Sequence, residues 1–200
     1  MSFSGQIDTD NIIEIHETAD ISTCKFNIIG KRNRVFIGSN CVMRNCRIEI
    51  LSDNNDIFIS ENCRITANII IKISENNKLF IDKDTSCGGA NIICGESTKI
   101  KIGKDCMLAW GIEIRSTDSH AIFDKASGER INKAENIEIK DHVWIGAQVT
   151  ILSGSYIAED SVVGIRSVIK NKFTEEGSII VGSPAKVVKQ GVTWDRYLLG

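Results

Sequence analysis

Proline is almost missing from this chain: Pro184 is the only one in 200 residues. A residue that cannot donate to a backbone ladder is kept out of strand interiors, so its scarcity suits a strand-rich chain. No apolar run is long enough to span a bilayer. Residues 1–10 carry no basic-then-apolar leader, which predicts a cytoplasmic protein. Charge of one sign is not in excess either. A formal net charge of −2 provides no basic field, so nucleic acid is not an expected partner. The seven cysteines include no C-x-x-C and are odd in number, which argues against both a disulfide framework and a zinc site. They are expected as reduced, small hydrophobes of a core.

What the sequence does have is a rhythm. Ile139, Ile145, Ile151, Ile157, Val163 and Ile169 recur every six residues. Four places after each stands a residue that is mostly small or β-branched: Val143, Val149, Ser155, Ser161, Ser167 and Phe173. Neither a helical period nor a strict alternation produces this spacing. A chain that turns a corner every six residues does, with three corners to a coil and an aliphatic side chain filling each corner. Each coil is too apolar to stand alone, so only the stack has a core. The expected fold is an all-β parallel solenoid of triangular section, one domain over residues 1–200.

The solenoid extends upstream. Ile15, Ile37, Ile59 and Ile81 stand 22 residues apart, and Ile102 follows after 21. Cys41, Cys63 and Cys106 occupy the small-residue slot of these coils, as Ala19, Thr85 and Val143 do in others. The surplus over three hexads falls in Gly30-Lys31-Arg32-Asn33, Ser52-Asp53-Asn54-Asn55, Ser74-Glu75-Asn76-Asn77 and Gly95-Glu96-Ser97-Thr98, tetrads rich in the turn-forming Gly, Asn, Asp and Ser. The early coils are therefore expected to have one widened corner. Their third face is less regular, because Asn27 and Glu49 stand where a corner aliphatic is expected. About eight coils at the ordinary strand spacing make a column on the order of 40 Å long.

One interruption breaks the economy. Between the corner residues Ile102 and Ile139 lie 37 positions where 18 would serve. Residues 120–138 are thus expected to leave the column as a loop, and long loops in such folds usually carry function. His120 stands at its root in Ser116-Thr117-Asp118-Ser119-His120. A neutral imidazole there can take a proton from a hydroxyl near neutral pH. Asp118 is a candidate orienter of that ring, with a backbone carbonyl as the alternative. Trp144 is too large for the interior of a tight corner and is expected outside, as is Trp110. His142 is expected to be solvent-exposed, and His16 incidental. Three histidines so placed do not assemble a zinc site.

The hexads, Thr117-Asp118-Ser119-His120, Asp141-His142-Val143-Trp144-Ile145-Gly146 and Gly182-Ser183-Pro184-Ala185-Lys186 together resemble the hexapeptide-repeat acyltransferases. The insertions Ala121-Ile122-Phe123-Asp124 and Gly128-Glu129-Arg130-Ile131-Asn132 resemble, more narrowly, the O-acetyltransferases of bacterial capsule and cell-surface sugars, sialic acid polymers included. The strong motifs cover residues 100–189. The resemblance implies a left-handed parallel β-helix, an exception to the usual right-handed crossover. It also implies a homotrimer with acetyl-CoA in the groove between two columns, a saccharide acceptor and no metal. His120 would be the general base of a direct transfer to a sugar hydroxyl. Trp144 would wall the channel for acetyl-CoA and acceptor. Gly146, Gly164, Ser167, Lys170, Lys186 and Lys189 would line the coenzyme's path, the lysines meeting its phosphates.

For the acceptor, Arg130 and Lys125 of the loop are candidates, Arg130 as a fork for a sugar carboxylate. A short helix or tail from residue 183 to 200 is expected to cover the last coil's open edge. Two rival readings share the scaffold: an N-acetyltransferase of an amino sugar or nucleotide sugar, and a non-catalytic assembly subunit.

Overall fold

A computed structural model describes residues 4–198. Among the described residues every regular element is a β-strand. The strands stack as a left-handed parallel β-helix. One face is an 8-stranded sheet from Ile12–Ile15 through Lys99–Ile102 and Ile137–Ile139 to Lys172–Phe173. The other two faces are joined as a 14-stranded sheet, because Arg64–Lys72 and Ser86–Gly95 run continuously around the corner between them. In each coil the chain crosses the 8-stranded face (face 1), then face 2 (Met107–Leu108, Trp144–Ile145, Val162–Val163), then face 3 (Ile112–Arg115, Thr150–Ile151, Val168–Ile169).

The hexad aliphatics fill the column as expected. Ile139, Ile145, Ile151, Ile157, Val163 and Ile169 are all 0% exposed. Successive coils put Ile139 beside Ile157, Ile145 beside Val163 and Ile151 beside Ile169, so each corner is a continuous aliphatic stack. Burial of each such side chain contributes about 1.5–3 kcal/mol. All seven cysteines are buried, and none forms a disulfide.

Two expectations need correction. On face 3 of the early coils the inward register lies one residue away from Asn27 and Glu49. Phe26, Ile28, Ile48 and Ile50 point in, and Asn27 faces Glu49 on the outside. A one-residue shift exchanges the two surfaces of a strand, which explains the apparent irregularity. Second, the widened corner is only partly a turn. Arg32, Asn54, Asn76 and Ser97 take the left-handed conformation, but the next residue turns inward. Asn33, Asn55 and Asn77 are 0% exposed and form an internal ladder. The Asn55 amide N–H donates to Asn33 Oδ1 and the Asn77 amide N–H to Asn55 Oδ1, both at 2.9 Å.

Of the helix or tail expected from residue 183, residues 183–198 form the tail, without a helix. Ala185–Lys189 returns antiparallel to Ile179–Gly182 and blocks that sheet edge. The chain then runs back along the column, away from the last coil. Trp194 is buried against His142, and Arg196 reaches the Asp84 and Cys106 carbonyls.

Candidate active site

The long loop leaves face 3 after Ile112–Arg115 and rejoins face 1 at Ile137–Ile139. Its root is fastened by an ion pair absent from the sequence reading. The Arg130 guanidinium forms a bidentate pair with Glu96, in the turn of an adjacent coil. Thr117, fully buried beneath His120, donates its hydroxyl to the same carboxylate. Arg130 and Thr117 hold the Glu96 carboxyl below its ordinary value, against a smaller opposing effect of burial. The clamp therefore stays whole at neutral pH and opens only in acid, as Glu96 protonates below its ordinary value of 4.5.

Asn132 ties the second knot. Its amide donates to the Asp118 carboxylate at 2.9 Å and to the His120 carbonyl at 2.8 Å. Its oxygen accepts the Ile122 amide at 2.7 Å. The His120 side chain is exposed, and no hydrogen bond to its ring is formed among the described residues. Asp118 reaches His120 only through Asn132, which fixes the backbone of the histidine and leaves its ring open to a ligand.

Other expected residues stand differently. Arg130 is engaged by Glu96 through Nη1 and Nη2 and by Asn132 through Nε and Nη2, so both forks of its guanidinium are occupied within the chain and do not stand free for a sugar carboxylate. Lys125 is exposed in the loop, which also leaves Ile122, Phe123 and Ile131 more than half exposed. Ser167 is 0% exposed and its hydroxyl is used inside the column, donating to the Gly164 carbonyl at 2.7 Å and accepting the Gly182 amide. The Gly146 and Gly164 amides are likewise spent, at 2.8 Å each, on the Val163 and Ile180 carbonyls. At Gly146 a Cβ would meet the Val163 carbonyl oxygen at 2.8 Å, so this glycine lets consecutive coils close up. Lys186 and Lys189 share the exposed final strand with Val187 and Val188. Lys170 lies apart from them, past the end of face 3. None of the three lysines forms an ion pair among the described residues.

Trp144 stands outside, 38% exposed, as expected. It closes one end of an open groove of about 550 Å³ on face 2, with Arg44, Arg64, Ser86 and Met107 along its length. His120 and Trp144 lie on different edges of the column. The histidine follows face 3, the tryptophan follows face 1, and the full width of the Ile137–Ile139 strand separates them.

His142 departs most from expectation. It is half-buried: Nδ1 lies 2.8 Å from Asp105 Oδ2, and Nε2 lies 2.9 Å from the Trp194 carbonyl oxygen. The residues that sequence reasoning missed are Glu96, Asn132 and Trp194. Glu96 sits in a tetrad that reads as turn, Asn132 in a motif quoted only for resemblance, and Trp194 beyond the last repeat. Glu96 carries no distinguishing signal in the sequence, since Asp53 and Glu75 stand at the same place of their tetrads.

The hexad column, its single overhang and an exposed imidazole at the overhang's foot define a hexapeptide-repeat acyltransferase. A polysialic acid O-acetyltransferase from Neisseria meningitidis is 38% identical to the chain over 189 residues, covering 94% of this chain and 87% of that protein. The chain belongs to the polysialic acid O-acetyltransferases and is a sugar O-acetyltransferase. The crystal structure of the polysialic acid O-acetyltransferase OatWY superposes with a TM-score of 0.93 at 38% identity, covering 99% of this chain and 93% of that one. The polySia-specific acetyltransferase NeuO superposes with a TM-score of 0.89 at 28% identity, over 100% of this chain and 91% of that one. No protein-family model matches the chain.

Proposed function

We propose that the protein transfers acetyl from acetyl-CoA to a hydroxyl of a sialic acid polymer of a bacterial capsule, at seams between the subunits of a homotrimer. The observation that carries the reading is the state of His120: an exposed ring without a hydrogen-bond partner among the described residues, on a backbone pinned by Asn132. That ring takes the proton of the acceptor hydroxyl as the oxygen attacks the thioester, and returns it to the leaving thiolate. The thioester is already activated, so positioning with one base accounts for much of the rate, and no acyl-enzyme is required.

The separation of His120 from Trp144 supports the trimer. One column cannot bring both to the same substrate, whereas one column's overhang against a neighbour's face 2 can. The exposed Ile122, Phe123 and Ile131 are apolar surface suited to that neighbour. For the coenzyme, the final strand fits: exposed Val187 and Val188 suit an apolar arm, and the unpaired Lys186 and Lys189 suit phosphates. Seven unbonded cysteines support a reducing compartment such as the cytoplasm.

Complementation tests the seam. His120→Ala and Trp144→Ala chains, each impaired alone, are unfolded and refolded as a mixture and assayed with acetyl-CoA and a sialic acid polymer. Recovered activity of at least a tenth of wild type is expected. No recovery, with mixed trimers demonstrated by mass, excludes a shared site. The product should be base-labile, since an ester is lost in mild alkali and an amide persists.

A distinct prediction concerns the loop clamp. Glu96→Gln and Arg130→Ala are each expected to lower kcat about tenfold, with little change in KM for the acceptor, because both free the same loop root. Steady-state kinetics check it. A rise in acceptor KM confined to Arg130→Ala would restore the carboxylate-fork role.

A further inference from the structure

At the corner between faces 1 and 2, one residue per coil takes a left-handed conformation: Asn40, Asn62, Asp84, Asp105, His142 and Asp160. Asparagine and aspartate tolerate that conformation, so the column's geometry accounts for them. It also makes this edge acidic. A lone histidine among carboxylates is the anomaly, and the returning tail docks on it.

The docking is reciprocal. His142 Nε2 meets the Trp194 carbonyl at 2.9 Å, and Trp194 Nε1–H donates to the His142 carbonyl at 2.8 Å. The two rings stack with centroids 4.3 Å apart and 12° between planes. Arg196 adds a bond to Asp105 Oδ1 at 2.9 Å and one to the Ser86 hydroxyl at 2.8 Å. Trp194 is 9% exposed, low for a residue beyond the last strand. Its other neighbour is the Trp144 indole, 6.1 Å away between centroids and tilted by 47°. Ser86, held by Arg196, lines the groove that Trp144 closes. The tail thus touches both the wall and the rim of one site.

We propose that residues 193–197 form a latch that positions Trp144, with Trp194 the positioning residue and His142 its anchor. The inference rests on the reading of Trp144 as part of the acyl-transfer site. His142 does no chemistry in it, because both ring nitrogens are occupied. Trp194 is packed between His142 and Trp144 and so gives the Trp144 indole a fixed neighbour on one side; without Trp194 the indole gains rotamers that leave the site misshapen.

The anchor also carries a pH sense. Asp105 and the Trp194 carbonyl are both acceptors, so only the doubly protonated ring satisfies both. The groups facing that ring are Asp105 from one turn, Asp160 from the next coil at 3.9 Å, and Arg196 from the tail. Burial opposes the charged ring, but the Trp194 carbonyl and these carboxylates outweigh it and raise its pKa above 6.5. A raised value means that the latch is strongest below 6.5 and weakens as pH climbs through the folded-state value.

A double-mutant cycle tests the latch. Trp194→Ala is expected to lower kcat/KM for acetyl-CoA about tenfold at unchanged trimer mass, and to lower it no further in a Trp144→Ala background. Trp194→Phe, which keeps the stack and loses only the N–H bond, should fall between. A wild-type kcat/KM for Trp194→Ala, or an undiminished drop in the Trp144→Ala background, overturns the proposal. Fluorescence separates the latch from the reading beneath it. With Trp110→Phe and Trp144→Phe leaving Trp194 as sole emitter, its emission should rise as pH passes through the raised His142 value, and stay flat in His142→Gln. A flat titration of that protein with His142 intact also overturns the latch. Full activity of Trp144→Ala with an intact titration instead overturns the role given to Trp144.

Discussion

His120→Ala is expected to lower kcat by on the order of 10²–10⁴, the usual contribution of a positioned general base, with the oligomeric state and the thermal transition unchanged. The structural half of that expectation follows from exposure. The imidazole has no internal partner among the described residues, so its removal opens no cavity and orphans no buried group. The kinetic half follows from its place beneath the overhang, on a backbone that Asn132 holds by the carbonyl. KM for acetyl-CoA should stay close to wild type, since a base acts mainly in the transition state. Steady-state kinetics with labelled acetyl-CoA provide the check. A loss below tenfold would remove His120 from the chemistry and return the assembly-subunit reading to consideration.

Asn55→Ala is expected to destabilise the column by about 3 kcal/mol while leaving the active site's own residues untouched. Asn55 is the middle rung of the buried ladder. Its amide donates to Asn33 Oδ1, to the Ser52 carbonyl and to the Ser52 hydroxyl, each at 3.0 Å, and its oxygen accepts both the backbone and the side-chain N–H of Asn77. Truncation leaves the Asn77 backbone N–H buried without a partner. An orphaned buried donor costs about 1–3 kcal/mol, to which the lost bonds and the small void add. Thermal unfolding should fall by roughly 6–12 °C at the scale of 2–4 °C per kcal/mol for a chain this size. A drop under about 2 °C would show that water replaces the amide and that the ladder is dispensable.

These two residues mark how far a linear reading reaches. His120 was legible because an interruption in a strict repeat is a departure that needs no coordinates to see. Asn55 was visible as a recurrent residue but misassigned, since its neighbour Asn54 is the true turn residue and only the path of the backbone separates them. Glu96 could not be paired with Arg130 from the sequence: 34 residues apart, they meet because the loop folds back over a coil that precedes it. The same limit applied to His142. Its partners Asp105, Asp160 and Trp194 come from two turns and the returning tail, which no local pattern connects.

The sequence by itself determined the column: side chains repeating every six residues place apolar volume at every corner, and burying that volume in any other arrangement would expose alternate coils to water. It also determined where the chain leaves the column and that His120 stands at that point. Tertiary structure alone decided which polar residues are spent internally, which are free to act, and that the tail, after closing the last sheet edge, returns to Trp144. The physical reason is range. Repeat geometry is a nearest-neighbour property written along the chain, whereas the commitment of an arginine, a serine or a histidine depends on which acceptors distant segments bring within 3 Å or so.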